Sequence, residues 1–165
     1  MTKRTKKAPA GRPPVRGGLP AGVFSGRFAI AASRFNEAVT DRLLASCLKT
    51  LKAHGVPERS VKVVRVPGGF ELPWTVAELA RSKRYDAVVA LGCVLRGSTP
   101  QNDHISRATV THLQRISLDS RVPVVLGVIT PNTWAQAVAR TKGALDRGKE
   151  AAEAALEMAA LKGAL

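Results

Sequence analysis

The sequence predicts an α/β protein of three layers, a doubly wound, four-stranded parallel sheet flanked by helices. Three observations carry that prediction. Apolar runs of strand length alternate with helix-periodic segments along most of the chain. The strand candidates are apolar at successive rather than alternate positions, which marks strands covered on both faces, as in parallel sheets. Each connection is long enough to hold the helix that a right-handed parallel crossover needs.

The elements follow in order. Arg27 to Ser33 is a short apolar run that suits a buried strand. Residues 37–54 read as an amphipathic helix, with Val39, Leu43, Cys47 and Leu51 at i+4 spacing and His54-Gly55 as the stop. Val61 to Val66 is a second strand, and Leu72 to Ser82 a helix that tolerates Pro73 in its first turn. Asp86 to Leu95 is the most continuous apolar run and should be a central strand. Pro100 opens a helix reaching about Asp119, with Ile105, Thr109, Leu113 and Ile116 on its apolar face. Pro123 to Thr130 is the fourth strand, and Thr133 to Arg140 and Arg147 to Lys162 are the last helices.

The chain of 165 residues fits one domain, and its 45% hydrophobic content supports a core built from Val, Leu, Ile and Ala rather than from the scarce aromatics. No uncharged apolar run approaches the roughly 18 residues of a membrane span. Six Lys and Arg residues (Lys3, Arg4, Lys6, Lys7, Arg12, Arg16) lie among the first twenty positions, whereas no acid precedes Glu37. With its prolines and glycines, the segment 1–22 reads as a disordered basic tail ahead of a domain over 23–165. Such a tail either solubilises or makes a weak, salt-sensitive contact with nucleic acid; it carries no motif for sequence-specific recognition. The basic N-terminus, without an apolar stretch, does not read as a secretory signal; the two cysteines form no CxxC pair, and Cys47 and Cys93 read as core residues of a cytoplasmic protein. His54, His104 and His112 show no ligand spacing, so no metal is expected.

In a doubly wound sheet, ligands sit beyond the carboxyl ends of the strands. The loops there are residues 33–37, 66–71, 95–101 and 130–133, and they are the chemically unusual stretches. Phe35, between polar neighbours, offers a flat wall for a planar ring or a simple loop anchor. Gly68 and Gly69 let the backbone approach a ligand closely, while Glu71 could accept from hydroxyls or serve the helix dipole. Arg96-Gly97-Ser98-Thr99-Pro100, opening a helix, is suited to an anion such as phosphate or to capping alone. It lacks the GxxxxGK(S/T) pattern of a Walker loop. Arg140 could add a second charge to a phosphate site.

Taken together, Arg34-Phe35-Asn36, Val66 to Pro73 (VPGGFELP), Val94 to Thr99, Pro123 to Thr130, Arg140 and Glu150 to Met158 resemble the lumazine synthase family over about 125 residues. The run VPGxFELP followed in register by RGxT is highly specific. The resemblance implies a flavodoxin-like fold and a condensation of 5-amino-6-ribitylaminouracil with 3,4-dihydroxy-2-butanone 4-phosphate, without a cofactor. Carried over by position, it implies that Phe35 stacks on the pyrimidine, and that Gly69, Phe70 and Glu71 hold it and its ribityl chain. It further implies that Cys93, Val94 and Leu95 line the ring site through their backbone, and that Ser98, Thr99 and Arg140 bind phosphate. Leu126 stands where the family commonly has Phe and would form a looser wall. Homo-oligomers are also implied, as pentamers or shells of pentamers with sites completed by a neighbouring subunit, and riboflavin synthase enters as a candidate partner on the same ground.

One departure bears on catalysis. The family's proton-transfer His lies two residues after the Thr of RGxT, and Gln101 occupies that place here. Glutamine does not titrate near neutrality. His104 lies one helical turn later, and the expectation is that it takes over the proton shuttle, with Gln101 orienting water; the alternative is a packing or subunit-contact role. Residues 140–148 are one shorter than the family pattern, so Lys142 receives no firm role. Two rival readings remain: a shell-forming relative that has lost catalysis, and a phosphate- or nucleotide-binding module whose basic tail contacts RNA.

Overall fold

The computed structural model describes residues 26–165, so the segment expected as a basic tail lies outside the described residues. Four strands, β1 (Phe28–Ser33), β2 (Val61–Val66), β3 (Ala87–Cys93) and β4 (Val124–Ile129), pair in the order β2-β1-β3-β4, all parallel. That is the order of the first four strands in flavodoxin-like sheets, with the chain reversing its direction of progress at β1 and β3. Between the strands run α1 (Glu37–Ala53), α2 (Leu72–Arg81) and α3 (Gln101–Ser120), followed by α4 (Trp134–Ala139) and α5 (Arg147–Ala164).

Alternation along the two central strands divides the core. Phe28, Ile30 and Ala32 of β1, with Val89 and Leu91 of β3, face α1 and α5. Ala29 and Ala31, with Val88 and Ala90, face the side covered by α2 and α3. Every residue of β1 and β3 is buried, which is why both read as continuous apolar runs. The third strand is shorter than its apolar run: Val94 and Leu95 leave the sheet toward the loop, although the Val94 N–H still donates to the Ile129 carbonyl at 2.9 Å. At the β4 edge the expectation of two covered faces fails at Leu126, which is 50% exposed. The helix α3 also buries little of itself in the subunit, with only Thr109, Leu113 and Ser120 fully covered.

The tightest helix contact joins α1 to α5. A β-carbon at Gly148 would lie 2.3 Å from the Leu43 carbonyl oxygen, so only glycine lets the two backbones meet here. Asp146 starts α5 by accepting from the Gly148 and Lys149 N–H groups, and the Ser46 hydroxyl of α1 donates to it at 2.6 Å. Among the described residues no helix is long and apolar enough to cross a membrane. Gly148→Ala should therefore lower stability by about 1–3 kcal/mol, read as a lower urea midpoint with unchanged slope. Gly163→Ala in the same helix, where an added β-carbon meets nothing within 4 Å, should leave the midpoint unchanged or raise it.

Both cysteines are buried and unpaired. Burial, helped by the negative charge of Asp146, pushes the Cys47 thiol up to about 12, and burial pushes Cys93 up to about 11, from an ordinary value of 9.0. Because the folded state raises these values, the neutral thiols contribute stability that is full below pH 9 and is lost as pH rises through 11–12. A thiol-specific reagent at pH 8 should therefore react slowly with the native protein and promptly with both cysteines in denaturant.

Candidate active site

The site forms where the sheet changes direction, between the ends of β1 and β3. Hydrogen bonding between β1 and β2 runs on past both strands: Arg34 N–H donates to the Val66 carbonyl at 2.8 Å and Phe35 N–H to the Pro67 carbonyl at 2.9 Å. The chain then turns into α1 through Asn36, which sits in the left-handed region at φ 59° and ψ 44°, a conformation asparagine tolerates better than most residues. The Asn36 side chain donates from Nδ2 to the Cys93 carbonyl at 2.9 Å, tying the loop after β1 to the end of β3. Phe35, held by this turn, is 71% exposed.

The loop after β2 is fixed from two directions. Gly68 N–H donates to Glu71 Oε2 at 2.8 Å, closing a tight turn before α2. The buried Thr109 of α3 donates its hydroxyl to the Gly69 carbonyl at 3.1 Å. A β-carbon at Gly69 would come within 3.0 Å of Val94 Cγ2, so this glycine allows the loop to lie against the end of β3. After β3, Arg96 N–H donates to the Pro131 carbonyl at 3.0 Å, and the chain passes through Gly97 to Thr99 before α3 begins at Gln101.

These loops enclose an open cavity of about 620 Å³. Phe35, Gly69, Phe70 and Glu71 line it from the first two loops. Cys93, Val94 and Leu95 form its inner side, and Thr99 and Gln101 lie toward α3. Cys93 contributes backbone alone, because its side chain packs in the core on the α1 and α5 side. Gly68 and Gly97, from the two glycine-bearing loops, also line it, and two further lining residues, Asn102 and Ile105, were not among those expected at the site. Helical phase could have found both, since positions 101, 102 and 105 share one side of a helix.

Four expected residues lie outside this cavity. Ser98 is exposed in the loop beside Thr99. His104 is exposed on α3, turned away from the side presented by Gln101, Asn102 and Ile105. Leu126 stands in the middle of β4, paired in register with Ala90 and so three residues short of the end at which Cys93 meets Ile129. Arg140 caps the end of α4, where its Nη1 donates to the Gln136 carbonyl at 3.1 Å. Among the described residues no three His, Cys, Asp or Glu side chains gather in a way that could hold a metal ion.

The cavity thus offers apolar walls from Phe35, Val94 and Ile105, main-chain polar groups from two glycine-rich loops, and the Thr99 hydroxyl beside a helix start. Such a combination accommodates a planar, hydrogen-bonding ring with a polar substituent. Comparison with known proteins agrees. A model of the family 6,7-dimethyl-8-ribityllumazine synthase matches residues 25–163. A protein of Salinibacter ruber named 6,7-dimethyl-8-ribityllumazine synthase is 46% identical over 136 residues, covering 82% of this chain and 87% of the relative. The match spans the sheet, its helices and all three loops of the cavity, and the chain belongs to the 6,7-dimethyl-8-ribityllumazine synthase family.

Proposed function

We propose that this protein condenses 5-amino-6-ribitylaminouracil with 3,4-dihydroxy-2-butanone 4-phosphate to give 6,7-dimethyl-8-ribityllumazine, phosphate and water. The observation that carries the reading is the cavity at the β1/β3 crevice, walled by loops around Phe35, Gly69 and Val94 that all lie within the residues matched by the family. In it the pyrimidine stacks on Phe35 and meets the backbone at Gly69, Phe70 and Cys93 to Leu95. Glu71, whose Oε2 already accepts from Gly68, keeps its other oxygen for ribityl hydroxyls. Ser98 and Thr99 take the phosphate, with Arg140 supplied by a neighbouring copy.

Imine formation joins the two substrates with loss of one water, phosphate is eliminated, and attack of the second amine on the remaining carbonyl, with loss of a second water, closes the bicycle. Holding two reactive partners in register supplies much of the rate of such a sequence. Gln101 faces the cavity and orients water or a substrate hydroxyl; His104 does not reach the same cavity within its own subunit. Leu126 and Arg140 lie outside that cavity too, and Leu126 is half exposed on an edge strand. This placement supports a homo-oligomer, pentamer or shell of pentamers, in which these residues complete a neighbour's site. The buried free thiols of Cys47 and Cys93 accord with work in the cytoplasm.

Lumazine formation from the two substrates, followed by its absorbance, should run well above the spontaneous rate; a rate equal to the spontaneous one would leave a shell-forming relative without catalysis. Gln101→Ala should lower kcat about tenfold, the loss of a group that orients water and less than the roughly hundredfold or more of a general acid or base, whereas His104→Ala should change it by less than about threefold. The reverse order would return the proton shuttle to His104. Asn36→Gly keeps the left-handed turn but removes the bond to the Cys93 carbonyl, and should raise KM for the pyrimidine about fivefold while lowering stability by no more than about 1 kcal/mol.

A further inference from the structure

All four strands are parallel, so all four begin at one end of the sheet, opposite the cavity. Each is preceded there by an exposed arginine: Arg59 before β2, Arg27 before β1, Arg84 before β3 and Arg121 before β4. Register holds them nearly level. Phe28 pairs with Val61 and with Ala87, and Val88 pairs with Val124, so each arginine lies within three residues of one line across the sheet. At about 4.8 Å between strands, the four positions span roughly 14 Å.

Among the described residues none of the four makes an ion pair, although six ion pairs form between other side chains. The nearby acids are largely engaged. Asp86 accepts from the Arg27 N–H and pairs with Lys162, and Asp119 pairs with Arg115, leaving exposed Glu58. Lys83 donates its ammonium to the Ser120 carbonyl and Lys162 is held by Asp86, so these two lysines are engaged while the arginines remain available. The chain enters β1 at this same end, and the sequence ahead of Gly26 holds six more Lys and Arg and no acid.

We propose that the strand-start end of the sheet is a docking surface for the phosphate backbone of a polynucleotide. Guanidinium groups suit phosphate oxygens, and the contact is sequence-independent because the row carries no groups disposed to read bases. A membrane surface fits less well, because the four arginines follow a row of strand starts and do not lie along one face of an amphipathic helix.

The test uses the full chain and fluorescently labelled 20-nucleotide strands of RNA and of DNA, with anisotropy read across a salt series. Arg59→Gln, Arg84→Gln and Arg121→Asn combined should weaken binding at least about tenfold at 0.1 M salt and reduce the log–log salt slope by about two. Asparagine at position 121 suits its left-handed backbone, φ 55°. Lumazine formation should be unchanged, since none of the three borders the cavity. A control removing equal charge elsewhere, with Arg42, Arg107 and Lys149 each changed to Gln, should keep the wild-type slope. A preference for one strand type identifies which polynucleotide is bound. The proposal is overturned if the control weakens binding as much as the row, if neither strand binds at 0.1 M salt, or if only phosphatidylserine vesicles are retained.

Discussion

The parallel pairing of β1 with both β2 and β3 is the constraint on which the rest depends. It buries β1 and β3 on both faces and obliges helices to cover each side. It also gathers every strand end at one edge and every strand start at the other. The hydrogen-bond ladder does not stop at Ser33 and Val66 but extends through Arg34 and Phe35, so the first wall of the cavity is a continuation of the sheet. Phe35 can stay exposed and still be held, because its backbone is part of that ladder. Were β1 at an edge, the crevice between it and β3 would not exist.

A second economy concerns polar groups at the site. Main-chain carbonyls that would otherwise compete for a ligand are already engaged: Cys93 by Asn36, Gly69 by Thr109, and Ile129 and Pro131 by the N–H groups of Val94 and Arg96. Each bond contributes modestly to stability, about 1 kcal/mol in general, yet together they fix three loops from different parts of the chain. A cavity so fixed suits a reaction whose barrier falls mainly by orientation. That is the physical ground on which Gln101 in place of a titrating residue is compatible with a working enzyme.

Much of the fold was legible in the sequence because its strands are of the kind easiest to read, continuous Val-, Ala- and Leu-rich runs bounded by turn residues. The end of β3 was less so: apolar character continues through Leu95, but the backbone leaves the sheet after Cys93 to form the cavity side. Loop composition pointed to Phe35, Gly69, Glu71 and Thr99 because glycine, proline and exposed aromatic residues have few packing reasons to cluster there. It did not reveal Asn36 or Thr109 as the residues that hold the loops, since a side-chain bond to a carbonyl far along the chain leaves no local pattern. His104 shows the limit of spacing: one helical turn from Gln101 still leaves it off the side that Gln101, Asn102 and Ile105 share. Leu126 and Arg140 show another, because residue type and order place neither of them beside the cavity of the subunit.

The most direct measurement is a crystal structure of the protein with 5-amino-6-ribitylaminouracil bound. The account predicts the pyrimidine against the Phe35 ring, its edge on the backbone of Gly69–Phe70 and Val94–Leu95, and its ribityl chain within hydrogen-bond reach of Glu71. A pyrimidine bound elsewhere, with the crevice between β1 and β3 empty, would contradict it.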